Sequence, residues 1–545
     1  MSFPAIPTSP FEDQRPGTAG LRKPVARFQE PRYFENFVQS VFDCWPRLHG
    51  GTLVIGGDGR FHNREAIATL LRMAAANGVK RCVVGREGLL STPAASLLIP
   101  AASAAGGFIL TASHNPGGPH GDFGVKFNVD NGGQASETLT EAIYARSRSV
   151  DRYFLAPAER DVDLSRASVQ VLAGMQVEVV DPVAHYAQVM QRCFDFERMR
   201  ALLKDGRFRM CFDALNAVTG PYAVEIFEKQ LGAPAGAVRN AKPLPDFGGG
   251  HPDPNPHDAA GLVRLFSGAA APDFGAASDG DGDRNMIVGP NLVVSPGDSL
   301  AVLAANAKLI PGYRDGLAGL ARSMPTSRAV DRVAQRLGLP CYETPTGWRF
   351  FSNLLDAGKV TLCGEESFGT SSSHCREKDG LWAVLFWLDL LAARRQPLRV
   401  ILQEHWADYG RDFFQREDYE IPDAERAANL MKELQASLPT LADRSAGGIS
   451  IASADSFTYE DPIDQSVSRN QGVRVFTKDG ARMVFRLSGT GTRGATLRVY
   501  LERHETDAAK QAQTAKAALA SLSKAAHAVA RLEELTGLKE PSQVI

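Results

Sequence analysis

The chain has 545 residues, so several domains are expected, because a single hydrophobic core stops growing at roughly 250–300 residues. It is 44% hydrophobic and 22% charged, as is typical of a globular protein with ample core. Its 60 Lys and Arg residues nearly balance its 62 Asp and Glu residues, so no general attraction to polyanions arises and nucleic acid is not an expected partner.

The cysteines and the apolar segments indicate the cellular compartment in which the protein is expected. The seven cysteines are scattered, odd in number and never spaced as Cys-x-x-Cys, which indicates free thiols in a reducing compartment and argues against a zinc cluster. The first residues lack the basic-then-apolar pattern of a signal peptide. The longest apolar segment, Leu381 to Ala393, contains Asp389 and is too short to span a bilayer. We therefore expect a cytoplasmic protein with no membrane partner, in an oligomeric state that the sequence does not indicate.

Strands and helices alternate along the first third of the chain. Apolar runs at 52–55, 82–84 and 108–110 predict buried strands. Apolar residues at helical spacing between Ile67 and Ala74 predict one helix, and Ser91-Thr-Pro predicts the start of the next. Alternation at these lengths is typical of a parallel sheet with right-handed crossovers.

The third of these strands is broken by Thr-Ala-Ser-His-Asn-Pro-Gly-Gly at 111–118. Pro116 has no N–H and, with the two glycines, must end the strand. Ser113 is therefore expected on a loop that buries little, at the sheet edge where ligands bind in open α/β folds. The serine is not in a Gly-x-Ser-x-Gly elbow, the turn that carries the nucleophile of α/β-hydrolases, so the sequence does not favour a hydrolase. Taken alone, the octapeptide is also compatible with an ordinary turn.

The same alternation restarts near Asp181 and again near Ser299. Each of the three units ends a strand in a polar loop, which contains Ser113, Asp279-Gly-Asp-Gly-Asp283 or Glu365-Glu-Ser367. The last part differs, because a predicted hairpin at 473–485 and a strand at 496–500 indicate a separate α+β domain. The expected domains are 1–183, 184–297, 298–408 and 409–545.

Three aspartates, Asp279, Asp281 and Asp283, alternate with glycines. Carboxylates this close repel one another, so keeping them ionised needs a cation or a special network. An EF-hand loop also opens Asp-x-Asp-x-Asp, but it needs Gly and Glu where this chain has Arg284 and Pro290. Three carboxylates suit Mg²⁺ completed by a phosphate oxygen, and the alternative is a solvated acidic turn.

A second candidate loop, Ser488-Gly-Thr490-Gly-Thr492, lies in the C-terminal part. Its hydroxyls and flexible backbone N–H groups can form an anion nest. Arg486 and Arg498 flank it, and guanidinium groups bind phosphate oxygens bidentately. No Gly-Lys-Ser/Thr follows, so a nucleotide site is disfavoured, and a plain loop is the alternative.

Three weaker signals remain. Glu365 and Ser367 place a carboxylate and a hydroxyl on a loop, where they can bond sugar hydroxyls or form a buried ion pair. The basic run that includes Lys378 is by itself typical of a solvated helix start. Gly56-Gly-Asp58-Gly-Arg60 carries little signal on its own.

Together, the ordered motifs resemble the α-D-phosphohexomutase family. The motifs that carry the resemblance are Thr111–Gly118, Asp279–Arg284, Thr346-Gly347, Gly364–Gly369 and Arg486–Thr492. The stretches 16–23, 374–380 and 467–472 extend the likeness over nearly the whole chain. The resemblance implies three similar α/β domains with mixed sheets plus a C-terminal α+β domain, arranged around a central cleft.

The resemblance also implies a role for each candidate residue. The catalytic serine that carries the phosphoryl group would be Ser113, and the Mg²⁺ ligands would be Ser113, Asp279, Asp281 and Asp283. The transferring phosphoryl group would be surrounded by Arg22, His114, Lys126 and Arg284, and proton transfer would fall to Lys126 or Lys378. The sugar would contact Thr346, Gly347, Glu365, Ser367 and Lys378. The non-reacting phosphate would be bound by Arg486, Ser488, Thr490, Thr492 and Arg498.

The implied reaction interconverts glucose 1-phosphate and glucose 6-phosphate, with Mg²⁺ as cofactor and glucose 1,6-bisphosphate as intermediate and activator. The chemistry fits, since a serine beside a metal site can accept and return a phosphoryl group. Mannose phosphates are an alternative substrate. A non-catalytic binding relative is a second alternative, against which Ser113 and the intact aspartate cluster argue.

Overall fold

The computed structural model describes residues 3–17, 19–157, 160–204, 206–488 and 495–545. Within these ranges no helix combines the length and apolar character needed to traverse a lipid bilayer. The seven cysteines, all of which fall in the described ranges, are free thiols.

The first domain contains a mixed sheet that is covered on both faces. Its strands lie side by side in the order Leu21–Pro24, Asp122–Val129, Gly106–Leu110, Thr52–Gly57, Arg81–Leu89, Met175–Val180 and Ser168–Leu172. The three predicted strands pair in parallel, as expected; the antiparallel strand Asp122–Val129 borders them on one side and a further parallel strand, Met175–Val180, on the other. Leu53 and Ile55 pack in one hydrophobic cluster and Val54 in another, so alternate side chains bury both faces. The domain's helices are Val25–Phe28, Tyr33–Cys44, Asn63–Ala76, Thr92–Ala101 and Glu137–Ser147, and a separate strand pair joins Ala5–Pro7 to Arg152–Phe154.

The second domain repeats this plan on a smaller scale. Its strands follow the order Val238–Arg239, Met210–Asp213, Phe274–Ser278, Asn285–Gly289 and Leu292–Val293, and its helices are Ala184–Cys193, Phe196–Lys204, Thr219–Ala223, Val224–Gln230 and Ala260–Phe266. Helix Thr219–Ala223 contains Gly220, although glycine is unfavourable within a helix. A Cβ at Gly220 would lie 1.8 Å from the carbonyl oxygen of Ala241. Glycine is therefore needed here because the backbone at Ala241 packs closely against the helix.

The third domain is organised around a helix that is apolar on every side. Its strands follow the order Cys341–Thr344, Leu320–Ser323, Leu362–Gly364 and Thr370–Ser372. Its helices are Pro296–Asn306, Ala329–Leu337, Trp348–Asp356, Gly380–Arg394 and Leu398–Tyr409. Every residue from Gly380 to Ala392 is buried, because this helix packs between strands of the second and third domains. The longest apolar segment of the sequence is therefore a core helix.

The fourth domain is an antiparallel sheet with helices, as predicted. Its strands follow the order Ser445–Ala446, Ile449–Ser456, Val473–Thr477, Arg482–Ser488, Ala495–Glu505, Arg411–Ile421 and Gln543–Val544. Tyr459–Glu460 pairs separately with Val467–Ser468, and the helices are Ala424–Ser437, Ala508–Gln511, Ala515–Ala530 and Leu532–Thr536. The alanine-rich segment after Asp507 forms two helices, because the Thr514 side chain caps a new helix by accepting the Ala517 N–H.

The four domains meet at one cleft. The loops after strands Gly106–Leu110, Phe274–Ser278 and Leu362–Gly364 leave the carboxyl ends of their sheets and converge. Ser113 of the first loop bonds to Asp279 of the second, and Asn285, just beyond the second loop, donates a hydrogen bond to the carbonyl oxygen of Phe368 in the third. Tyr500 of the fourth domain donates a hydrogen bond to Glu366 of the third. The arrangement of three α/β domains and one α+β domain around a cleft, expected from the sequence, is confirmed.

Candidate active site

Ser113 lies on the loop after strand Gly106–Leu110, as predicted. Its φ of 51° is in the left-handed region, which few non-glycine residues adopt. The Ser113 hydroxyl donates a hydrogen bond to Oδ2 of Asp279 at 2.7 Å and lies 3.5 Å from Nδ1 of His114. The expectation that this serine buries little is wrong. It is only 2% exposed, because Gly280 of the second domain lies against its carbonyl group.

A buried ion pair, Asp58 with Arg60, holds the serine loop in shape. Arg60 donates to the carbonyl oxygens of Ser113 at 2.7 Å and Asp122 at 2.8 Å. Asp58 lies 2.9 Å from Nε of Arg60 and accepts a hydrogen bond from Thr111 at 2.6 Å. Removing either partner would leave an unpaired buried charge, which is strongly destabilising. Asp58 and Arg60 carry little signal in the sequence alone, although their opposite charges lie on a loop at the same sheet edge as Ser113.

The three aspartates converge on one point. Their carboxylate oxygens lie within 4.8 Å of one another, and all three residues are buried. Burial and the charges of Asp283 and Asp281 raise the pKa of Asp279 well above its usual range. Among the described residues, one oxygen each of Asp281 and Asp283 is buried without a hydrogen-bond partner. Unpaired buried carboxylate oxygens are costly, and a divalent cation would satisfy them, so the donor set fits a metal site.

Positive charge gathers around Ser113. The guanidinium groups of Arg22 and Arg284 each keep a buried Nε that has no hydrogen-bond partner in the described part of the chain. Burial, followed by the charges of Arg284 and Arg22, holds the pKa of His114 well below its usual range. His114 is therefore a neutral imidazole that can offer a hydrogen bond to a phosphoryl oxygen but adds no charge.

Both candidate lysines reach the cleft. Lys126 is 4% exposed, and its Nζ lies 2.7 Å from Oε1 of Glu377. The Nζ of Lys378 lies 3.3 Å from Oδ2 of Asp283 and 3.6 Å from Oε2 of Glu365. Burial alone would lower the pKa of Lys378, but these two carboxylates outweigh it and raise the pKa. Each lysine is thus paired with carboxylates in this structure, and the geometry brings both close to the serine and aspartate loops.

The structure joins the two motifs predicted to contact a sugar. The backbone N–H of Gly347 donates to Oε1 of Glu365 at 2.9 Å. Gly347 has a φ of 133°, a conformation that favours glycine. The hydroxyl of Thr346 is buried and has no hydrogen-bond partner among the residues that the structure describes, and Ser367 is also buried. Hydroxyl and carboxylate groups therefore line one wall of the cleft.

The fourth domain presents a pair of arginines to the cleft. Arg486, two residues before Ser488, lies opposite Arg498 on the paired strand. Nε of Arg498 lies 3.7 Å from Oδ2 of Asp418. Burial and the charges of Arg284, Arg22 and His251 lower the pKa of His114, and the charge of Arg498 adds to them. Two predicted residues fall outside the described residues, namely Thr490 and Thr492.

Family models match nearly the whole chain. Three phosphoglucomutase/phosphomannomutase models, of α/β/α domains I, II and III, match residues 13–154, 184–292 and 296–409. A model of the phosphoglucomutase-1 C-terminal domain matches residues 411–542. The domain boundaries that we expect from the sequence stay a prediction.

Individual relatives agree with the models over full length. The chain is 55% identical to a phosphoglucomutase of Rhizobium radiobacter and 49% identical to human phosphoglucomutase-1, in each case over 99% of both chains. It is 47% identical to a probable cytoplasmic phosphoglucomutase of Arabidopsis thaliana. The open form of parafusin, a phosphoglucomutase from Paramecium, superposes with a TM-score of 0.92 at 44% identity, covering 100% of this chain and 99% of that one. The chain therefore belongs to the phosphoglucomutase/phosphomannomutase family, the α-D-phosphohexomutases, and is an isomerase of that family.

Proposed function

We propose that this enzyme interconverts glucose 1-phosphate and glucose 6-phosphate, using Mg²⁺, a phosphoserine at Ser113 and glucose 1,6-bisphosphate as intermediate. The observation that carries the proposal is the 2.7 Å hydrogen bond from the Ser113 hydroxyl to Asp279, inside the carboxylate cluster. Relatives named phosphoglucomutase, which match over full length, support the choice of glucose phosphates. As part of the same proposal we place the enzyme in the cytoplasm, as with the Arabidopsis relative and in keeping with seven free cysteines.

Asp279, Asp281 and Asp283 would hold Mg²⁺ together with an oxygen at Ser113. When bound, the ion would neutralise negative charge on the phosphoryl oxygens. Arg22 and Arg284 add positive charge on the protein side, and neutral His114 offers a hydrogen bond.

The proposed reaction consists of two phosphoryl transfers. In the first, the bond from Ser113 Oγ to phosphorus breaks and phosphorus bonds to the C6 oxygen of glucose 1-phosphate. The C6 hydroxyl proton passes to the neutral amine of Lys126 or Lys378 and from there to Ser113 Oγ. The bisphosphate then reorients within the cleft. In the second transfer, the bond from the C1 oxygen to phosphorus breaks and phosphorus bonds to Ser113 Oγ, whose proton passes through the lysine to the C1 oxygen, which leaves glucose 6-phosphate and a phosphorylated serine.

The remaining predicted residues would hold the sugar and its second phosphate. Glu365, Ser367 and the Thr346-Gly347 turn would bind hydroxyl groups, because their polar atoms line one wall of the cleft. Arg486, Ser488 and Arg498 would bind the phosphate that is not being transferred, in both orientations of the intermediate.

A coupled assay with Mg²⁺ and a trace of glucose 1,6-bisphosphate tests the substrate. Glucose 1-phosphate is expected to turn over with a higher kcat/KM than mannose 1-phosphate. An equal or higher kcat/KM for mannose 1-phosphate would contradict the choice of sugar, and no turnover of either would contradict the proposed function.

Methionine in place of Lys126 or of Lys378 tests proton transfer. At least one of the two variants is expected to lose more than about tenfold in kcat, roughly 1.4 kcal/mol of barrier, because the sugar hydroxyl would lack its base. Steady-state kinetics at saturating substrate measures the loss. Lys359→Met, an exposed lysine of the third domain, is the control. If neither Lys126→Met nor Lys378→Met exceeds tenfold, both assignments are wrong.

Alanine in place of Arg498 tests the remote phosphate site. Charge-assisted hydrogen bonds contribute roughly 1.5–3 kcal/mol each, so KM for either monophosphate is expected to rise about ten- to a hundredfold. The bisphosphate should also escape before it turns over, and free glucose 1,6-bisphosphate should accumulate. Arg503→Ala, on the same strand but paired with Asp479, is the matched control and should do neither. Normal KM without release of the bisphosphate would exclude the fourth domain as the phosphate site.

A further inference from the structure

Glu366 lies in the sequence between the two proposed sugar contacts, Glu365 and Ser367, but its side chain bonds to residues that are not among the proposed sugar contacts. It is 2% exposed, and its Oε1 accepts a hydrogen bond from the Tyr500 hydroxyl at 3.1 Å. Its Oε2 accepts from the Ser323 hydroxyl at 2.7 Å. Tyr500 belongs to the fourth domain, whereas Glu366 and Ser323 belong to the third. The carboxylate is therefore buried between two domains.

This carboxylate is also the counter-charge of a phosphate-site arginine. Nη1 of Arg486 lies 3.8 Å from Oε1 of Glu366 and donates to the Tyr500 hydroxyl at 3.5 Å. Burial alone would raise the pKa of Glu366, but the charge of Arg486 and the Ser323 hydrogen bond outweigh it and lower the pKa. Glu366 thus stays ionised beside the guanidinium group.

The two arginines of the phosphate site differ in where their counter-charges come from. Arg486 and Arg498 are opposite each other on adjacent strands, so their like charges repel. Arg498 has Asp418 of its own domain at 3.7 Å, and Arg416 holds that aspartate with two hydrogen bonds of 2.9 Å. Arg486 instead takes its counter-charge from the third domain. Its position consequently depends on how the fourth domain sits on the third.

We infer that Glu366 is a positioning residue for phosphate binding: through Tyr500 and its own charge it holds Arg486 in place, and it does not contact the sugar. The inference rests on the proposed function, because it assigns Arg486 to the non-reacting phosphate. It also links the sugar loop of the third domain to the phosphate site of the fourth, since one short segment carries both Glu365 and Glu366.

Glu366→Gln tests the inference, since it keeps the shape of the side chain and removes its charge. KM for glucose 1-phosphate and for glucose 6-phosphate is expected to rise about tenfold, by similar factors, with kcat within about twofold of the wild type, because only binding of the shared phosphate weakens. Tyr500→Phe removes the relay hydroxyl and should change KM in the same direction. This second variant keeps the test decisive if Glu366→Gln does not fold, which a thermal melt reports.

A double-mutant cycle separates positioning from a general structural role. If Glu366 acts through Arg486, Glu366→Gln should raise KM much less in an Arg486→Lys background than in the wild type, since coupled residues are not additive. Glu343→Gln is the matched control, because Glu343 also joins the third and fourth domains through Arg474 and Arg482, which are not part of the proposed phosphate site. That variant should leave both KM values unchanged.

The inference and the proposed function fail in different ways. A wild-type enzyme that converts no glucose phosphate would overturn the proposed function. An active wild type in which Glu366→Gln lowers kcat at unchanged KM, or acts additively with Arg486→Lys, would overturn the positioning role alone.

Discussion

Replacing Ser113 with alanine is expected to lower kcat by roughly four orders of magnitude or more, because the residue that we propose as the carrier of the phosphoryl group is lost. Alanine fits the local backbone about as well as serine does, and the change removes one hydrogen bond, to Asp279. That bond, to a buried carboxylate, contributes roughly 1.5–3 kcal/mol, which is small beside the stability of a folded domain. The variant should therefore fold, and circular dichroism should match that of the wild type.

Mass spectrometry checks the covalent part of this prediction. The intact wild-type protein should show a phosphate adduct, which peptide mapping places at 111–118, and the alanine variant should lack it. Ser267→Ala, which removes an exposed serine beyond helix Ala260–Phe266, is the control and should keep both the adduct and the activity. Full turnover by Ser113→Ala would exclude the phosphoserine mechanism.

The order of strands and helices and the loops that carry the candidate site could be predicted from the sequence. Buried strands such as Thr52–Gly57 and Gly106–Leu110 are continuous apolar runs, and turn residues mark where each one ends. Because such loops share one edge of each sheet, Ser113 and Asp279 could be expected near a common cleft.

Features that depend on packing between distant segments could not be predicted. Gly220 is a helix breaker by composition, and only its contact with Ala241 shows why it lies in a helix. The burial of Ser113 depends on a loop from another domain, and no local pattern reports that contact. Glu366 resembles its neighbour Glu365 in sequence, yet the two side chains contact different domains.

Asparagine in place of Asp281 is expected to weaken Mg²⁺ binding about a hundredfold, because one of three negative charges is lost while the shape is kept. The Oδ2 atom of Asp281 accepts a hydrogen bond from Thr92 at 2.6 Å, and an asparagine oxygen can accept the same bond. The variant should therefore fold. The Mg²⁺ concentration for half-maximal activity measures the effect in the enzyme, and isothermal titration measures it without substrate.

The melting temperature also reports the effect of removing the Asp281 charge. Without Mg²⁺, Asp281→Asn should melt below the wild type. Burial alone would raise the pKa of Asp281, but the charge of Lys126 and the Thr92 hydrogen bond outweigh burial and lower the pKa, so the folded state stabilises the ionised carboxylate. Added Mg²⁺ should raise the melting temperature of the wild type and do so much less in the variant, because binding to the folded state stabilises it. Asp258→Asn is the matched control, in the partly exposed group of Asp258 with His251 and Asp253. It should change neither the Mg²⁺ concentration for half-maximal activity nor the rise in melting temperature that Mg²⁺ causes. If Asp281→Asn leaves the Mg²⁺ concentration for half-maximal activity unchanged, the three aspartates are not the metal site. The carboxylates would then need another source of positive charge to remain ionised beside Ser113.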